Sequence, residues 1–270
     1  MRRIVHYELG EPARVLRLEE GAAPLLAPDQ VRVRLSCAPV HPGDLLGVMG
    51  SPAFGTPPTI GSAGRVPGFE GTGVVSEVSA ELDPALGLRE GLRVAFFPAA
   101  GTWSDEIVVS ASSVVPLPDS ISDDVAAQML INTVTALTVI REAHDSLPPD
   151  ARTGVVMLLT GARSGVGRLI SKVLTERGVR VIRLVRSEAG AATLASALPE
   201  SPVFATEAGD WKDRVRAAAE GAQIHVAIDS VGGRLLGDVA AYWLSGPGPL
   251  STSVRLAARP AIFARFRPVP

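Results

Sequence analysis

The stretch that decides the fold is Thr160-Gly161-Ala162-Arg163-Ser164-Gly165-Val166-Gly167. Just before it, Val155-Val156-Met157-Leu158-Leu159 is an unbroken apolar run. Such a run is expected of a parallel strand buried on both faces. Residues 165–177 then read as a helix. A glycine cluster alone often marks only a tight turn. Between a buried strand and a helix it has the context that a phosphate-binding turn requires. Glycines let the backbone turn sharply and let N–H groups approach a pyrophosphate, while the helix start offers unpaired donors. A Walker-type loop does not fit, because Arg168 stands where a Gly-Lys-Ser/Thr continuation is needed.

Toward the C-terminus, strands at 179–185, 203–205 and 224–228 alternate with helices at 189–198 and 211–220. That alternation predicts a doubly wound α/β domain. Four strands are clear and residues 249–254 offer a fifth, whereas a full dinucleotide fold has six. The second strand ends Leu184-Val185-Arg186-Ser187. An NAD site usually places an acid near here to accept from the ribose 2′-hydroxyl. Arg186 instead offers a fork that suits a 2′-phosphate, so NADPH is the expected cofactor. Glu188 is the contrary sign, and a solvated strand-end arginine is the plain alternative.

Toward the N-terminus the texture is β-rich. Val31-Arg32-Val33-Arg34-Leu35, Gly73-Val74-Val75-Ser76-Glu77-Val78, Leu92-Arg93-Val94-Ala95-Phe96 and Glu106-Ile107-Val108-Val109 each alternate or nearly so. Period-2 patterning between Gly- and Pro-rich turns predicts short strands in a small barrel or sandwich. Ser122-Asp123-Asp124 reads as a helix start, with a capping hydroxyl and acids in the first turn. One apolar helix is expected over 125–143, ending before Pro148-Pro149. The division expected is residues 1–121 and residues 122–270.

Composition narrows the classes. The chain has 270 residues, 46% hydrophobic and 20% charged, with a formal net charge of −2. Disorder requires lower hydrophobicity and higher net charge. The single cysteine, Cys37, excludes a disulfide framework and a multi-cysteine zinc module. Near-neutral charge gives no general electrostatic case for nucleic acid. The start, Met1-Arg2-Arg3-Ile4-Val5-His6-Tyr7-Glu8, lacks the apolar run of a signal peptide. No stretch is long and apolar enough for a spanning helix, so neither membrane nor targeting segment is expected and the cytoplasm is the default.

The glycine turn also resembles the short-chain dehydrogenase signature. That family needs a Tyr and a Lys four residues apart; here the only later tyrosine, Tyr242, has Gly246 at the lysine position. The layout as a whole resembles the medium-chain dehydrogenase/reductase superfamily instead. His41-Pro42-Gly43-Asp44 looks like the Asn-Pro-x-Asp turn of its quinone reductase and enoyl-thioester reductase branches. Val66-Pro67-Gly68-Phe69-Glu70-Gly71-x-Gly73-Val74-Val75 is similar to the central signature, and Gly101-Thr102-Trp103 to the Gly-Thr-Trp turn. Met129-Leu130-Ile131-Asn132-x-x-Thr135-Ala136 is similar to the Asn-Pro-x-Thr-Ala helix start. Asp229-Ser230-Val231-Gly232-Gly233 is similar to the turn after the fourth Rossmann strand.

The resemblance implies a GroES-like β-barrel domain followed by a Rossmann domain, and hydride transfer from NADPH to an enoyl-thioester, enone or quinone. The implied cofactor-binding residues are Thr135, Gly161, Ser164, Gly165, Val166, Gly167, Arg186, Ser187 and Gly232. His41, Asp44, Phe54 and Trp103 are the implied substrate contacts, and no catalytic residue is assigned. Zinc is not expected. His41 stands at the first ligand position of the zinc branch, but Phe69 occupies the partner histidine's place, and a catalytic zinc needs three protein ligands.

Two departures stand out. The enoyl-thioester reductases carry a Tyr in the loop after the Asn-Pro-x-Asp turn; this loop has Phe54, which cannot donate a proton. After Asp238 there are no acids, but four arginines and five prolines. Prolines oppose regular structure. The Rossmann domain therefore reads as incomplete at its C-terminus, with an altered or out-of-frame end. The far sheet edge, through which relatives pair as homodimers, is not found. Two readings stay open: an active zinc-independent reductase of a small-molecule substrate, or a degenerate NADPH-binding paralogue without turnover.

Overall fold

Alternating residues in the first part of the chain become an antiparallel sheet with one buried face. The structure, a computed structural model, describes residues 1–51, 59–147 and 154–244. Phe54, Pro148-Pro149 and the fifth strand candidate at 249–254 lie outside the described residues. The chain divides into two compact units, Met1–Ile131 and Asn132–Pro270.

In the first unit, β1 (Arg2–Val5), the short helix α1 (Pro12–Val15) and β2 (Arg17–Glu20) form an antiparallel pair. There follow β3 (Gln30–Cys37), α2 (Pro42–Val48), β4 (Gly71–Val78), β5 (Arg93–Phe96), β6 (Glu106–Ser110) and β7 (Val114–Pro116). The five strands from β3 to β7 pair in the order β6-β3-β4-β5-β7, antiparallel throughout. Val31, Val33, Val75, Val94, Phe96, Ile107 and Val109 make its core. Period 2 explains the choice: these side chains share a face, while Arg32 faces Glu77 at 2.8 Å on the other.

The helix expected over 125–143 is broken in two, α3 (Asp123–Ala126) and α4 (Met129–Asp145). The break coincides with a long-range contact. The first turn of α4 carries no acid of its own. The carboxylate of Glu70 accepts from Ile131 N at 2.9 Å and so satisfies a donor that the helix start leaves open. Ser122 stands at the N-cap of α3 but makes no side-chain cap bond. Its hydroxyl turns to Asp124 instead, and holds that carboxyl below its ordinary pKa.

The second unit continues with β8 (Val156–Leu159), α5 (Gly165–Glu176), β9 (Arg180–Val185), α6 (Glu188–Ala197), β10 (Val203–Ala205), α7 (Trp211–Ala219), β11 (Ile224–Ile228) and α8 (Gly233–Leu244). The strands are parallel, in the order β10-β9-β8-β11. Both faces are covered. Met157 and Leu159 of β8 pack with Ile140, Ile170, Leu174 and Leu194 from α4, α5 and α6. Val156 and Leu158 pack on the other face with Trp211, Val215 and Val239 from α7 and α8. Burial on two faces is why β8 is apolar at every position. Each fully buried aliphatic side chain contributes about 1.5–3 kcal/mol.

Two features of this unit differ from the sequence reading or go beyond it. Arg183 of β9 is buried, with Nη2 donating to the carbonyls of Leu198, at 2.6 Å, and Ser201. Burial lowers its pKa from the ordinary value. Helix periodicity also does not stop at Asp238: α8 runs on to Leu244, with Leu235 and Val239 packed one turn apart against the sheet.

Candidate functional site

The order β10-β9-β8-β11 places β8 where the chain reverses its direction of sheet growth. Ligands of open α/β sheets bind outside the carboxyl ends of strands at such a point. The glycine turn leaves β8 there, and Asp229 to Gly232 leave β11 beside it. Thr160, fully buried, donates from Oγ1 to Asp229 Oδ1 at 2.5 Å and accepts from Ser230 N at 3.1 Å. Asp229 Oδ2 accepts from Gly232 N at 2.8 Å. One buried carboxylate thus locks both turns together.

Gly161 has φ +60, in the left-handed region. A Cβ on Gly167 would lie 2.5 Å from Gly161 O and 2.9 Å from Ala162 Cα. Rigid backbone on both sides leaves no room for it. Ser164 caps α5, its hydroxyl accepting from Gly167 N at 3.0 Å. Ser164 and Gly165 are exposed, at a helix start whose remaining N–H groups lack intrahelical acceptors. A Cβ on Gly165 would lie 3.4 Å from Asn132 Nδ2, so the start of α4 borders the turn. Thr135 is half-buried one turn along α4. The back-bond expected of a helix-interior threonine is made by Thr138, to Val134 O at 2.8 Å; Thr135 makes none among the described residues.

Arg186 is exposed at the end of β9, and Ser187 caps α6 by accepting from Gly190 N at 3.2 Å. Glu188 is engaged by Arg214 at 3.0 Å. Its charge is therefore partly offset by a partner of its own. The structure thus gathers Thr135, Gly161, Ser164, Gly165, Val166, Gly167, Arg186, Ser187 and Gly232 on the loops and helix starts of one unit. Thr160 and Asp229 hold that arrangement and Asn132 borders it, although the sequence reading gave them no site role. Their signal was faint: each lay inside a quoted motif, but their partners are far away along the chain.

The first unit brings together the other motifs. His41 precedes α2, and Asp44 Oδ2 accepts from His41 N at 2.8 Å. Asp44 is buried, and burial raises its carboxyl above the ordinary range despite that bond. His41 Nε2 donates to Glu70 Oε1 at 2.5 Å. The ring stacks on Phe69, with centroids 5.1 Å apart. The other Glu70 oxygen holds Ile131 N, so this buried carboxylate joins the imidazole to the start of α4. Trp103 donates from Nε1 to Pro39 O at 3.3 Å, and Trp103 N donates to Pro67 O at 3.1 Å. Gly68, at φ +93, lies so close beneath Thr102 and the Trp103 ring that a Cβ would strike both. His41, Asp44 and Trp103 are therefore neighbours through these turns. Among the described residues no group of three or more His, Cys, Asp or Glu side chains could hold a metal ion.

No family model matches the chain. It is 31% identical over 186 residues to the mitochondrial enoyl-acyl-carrier-protein reductase of Xenopus tropicalis, covering 68% of this chain and 49% of that protein. It is 30% identical, with a TM-score of 0.72, to the structure of a Bacillus thuringiensis protein assigned as an NADPH:quinone reductase. That match covers 88% of this chain and 68% of the other. A Pseudomonas syringae quinone oxidoreductase matches with 26% identity and a TM-score of 0.72, over 90% of this chain and 69% of the other. The chain spans about half the length of the curated relatives it matches.

Proposed function

We propose, for a chain that belongs to the quinone reductase and enoyl reductase branch of the medium-chain dehydrogenase/reductase superfamily, an NADPH-dependent, zinc-independent reduction of an enoyl-thioester, enone or quinone. The observation that carries the reading is the glycine turn at the switch point of the sheet, with Arg186 at the end of the neighbouring strand. Both the Bacillus thuringiensis relative's assignment and the residues favour NADPH over NADH.

The residues fit such a cofactor. Gly167 lets α5 pack directly against the turn, and the start of α5 offers its N–H groups. Arg186 and Ser187 receive the 2′-phosphate. Thr135, with no back-bond of its own, is free to hold the nicotinamide carboxamide. Gly232 is fixed by Asp229 beside the turn. When bound, NADPH supplies the hydride; the protein supplies orientation and exclusion of water. His41 and Trp103 are assigned to the substrate side together with Phe54, while buried Asp44 sets the His41 backbone. The zinc-independent reading rests on the donor set. His41 Nε2 is bonded to Glu70, and Phe69 cannot ligate. Residues 1–121 are read as the GroES-like barrel and residues 122–270 as the Rossmann domain.

Calorimetric titration with NADPH and NADH, followed by NADPH oxidation with a crotonyl thioester and with a quinone, tests the proposal. NADPH should bind tighter than NADH, with saturable turnover of at least one acceptor. Arg186→Ala should weaken NADPH by roughly tenfold, the worth of one charge-assisted hydrogen bond. Binding without turnover of any such acceptor would reject the reductase assignment.

A further inference from the structure

Arg163 sits in the middle of the glycine turn, where a small residue would serve the turn equally well. It is exposed, and among the described residues its side chain has neither an ion-pair nor a hydrogen-bond partner. Its direction is nevertheless defined. Arg163 Nη1 and Cδ lie 3.5 Å and 3.7 Å from the point that a Cβ on Gly190 would occupy, and Ser187 Oγ lies 3.4 Å from the same point. The guanidinium therefore crosses from the turn after β8 to the first turn of α6. Gly190, buried and without a side chain, leaves it room there.

This placement runs against ordinary electrostatics. A helix start is the positive end of the dipole and attracts anions, not cations. Arg186 stands one residue before the Ser187 cap of the same helix, so two arginines flank one positive end. The carboxylate nearest in sequence, Glu188, is taken by Arg214. The amides of Glu188 and Ala189 lie in the first turn, which has no intrahelical acceptors. Two arginines whose side chains have no hydrogen-bond or ion-pair partner among the described residues, a serine hydroxyl and first-turn amides together suit a dianion.

We propose that Arg163 is a second determinant of 2′-phosphate recognition, closing on that group from the glycine turn while Arg186 approaches from the end of β9. The inference rests on the NADPH reading above and extends it, because it divides cofactor choice between two loops. It also explains why an arginine is placed inside a turn whose other requirements are for small residues.

The test is calorimetric titration of the full chain and its variants with NADPH, NADH, 2′,5′-ADP and 5′-AMP. Arg163→Ala should weaken NADPH and 2′,5′-ADP by roughly tenfold while NADH and 5′-AMP change by less than about twofold. Arg163→Lys, which keeps the charge but loses the fork, should fall between. Retained NADH binding reports that each variant is folded. An unchanged NADPH-to-NADH ratio in Arg163→Ala would overturn the assignment, as would an equal loss for both cofactors. In either case a wild-type preference for NADPH leaves the cofactor reading standing. Wild-type protein that binds NADPH and NADH equally overturns both.

Discussion

At the scale of single residues, the chain's acids do more than its sequence suggests. Glu70, Asp44 and Asp229 are all buried, and each holds a backbone N–H as well as, or instead of, a side chain. Burying a carboxylate is costly unless it is hydrogen-bonded. Asp44 shows the balance. Burial is the largest influence and raises its carboxyl, with Glu70 adding to the effect and the His41 backbone and ring opposing it. A folded-state pKa above the unfolded one means that the native state binds more protons within that window. The Asp44 contribution is then full below the ordinary value of 3.8 and is lost as pH rises through the folded-state pKa. Denaturant unfolding at a series of pH values should show this. The stability of wild type relative to Asp44→Asn should fall with rising pH through that window and then level off. A rise instead would mean that the hydrogen bonds outweigh burial.

At the scale of elements, the decisive contact is the approach of α5 to the turn it follows. Gly167→Ala places a methyl group against Gly161 O and Ala162 Cα, and neither can yield as a flexible side chain would. The expected cost is about 1–3 kcal/mol, the range for overpacking, with NADPH affinity lost as the turn shifts. Gly237 in α8 is the contrast, since a Cβ there meets nothing within 4 Å. Gly237→Ala should be neutral or stabilise by up to about 1 kcal/mol through helix propensity. Urea unfolding of both variants checks the pair, and equal effects would contradict the packing described. The same elements show how far the sequence could be read. Strands β3 to β6 and β8 to β11 were legible because their hydrophobic periods are strong. The break between α3 and α4 was not, because the group that organises it is Glu70, about sixty residues away in the chain. Helix α8 was not legible because its second half falls in the stretch after Asp238, which was read only from its lack of acids and its prolines.

At the scale of the whole molecule, each unit has its own hydrophobic core. Among the described residues, no helix is long and apolar enough to cross a membrane. The net charge of −2 makes no general attraction for a phosphate-rich cofactor. On the proposed reading, binding rests on local groups: the helix starts, Arg163 and Arg186. Hydrogen exchange with and without NADPH should therefore show protection concentrated at residues 161–167, 186–190 and 230–233. The β3 to β7 sheet amides should change little. Protection spread evenly over both units would argue against a local site.

The sequence by itself determined the β-rich first part, the parallel α/β second part, the glycine turn between strand and helix, and the arginine at the second strand's end. Period, turn chemistry and helix-start chemistry are local, so neighbouring residues suffice to read them. Only the tertiary structure decided that Asp229 locks the turns after β8 and β11, that Glu70 bridges His41 and the start of α4, and that Arg163 reaches α6. These depend on side chains meeting across tens of residues. Burial and close approach set their energies, and both exist only once the chain has packed.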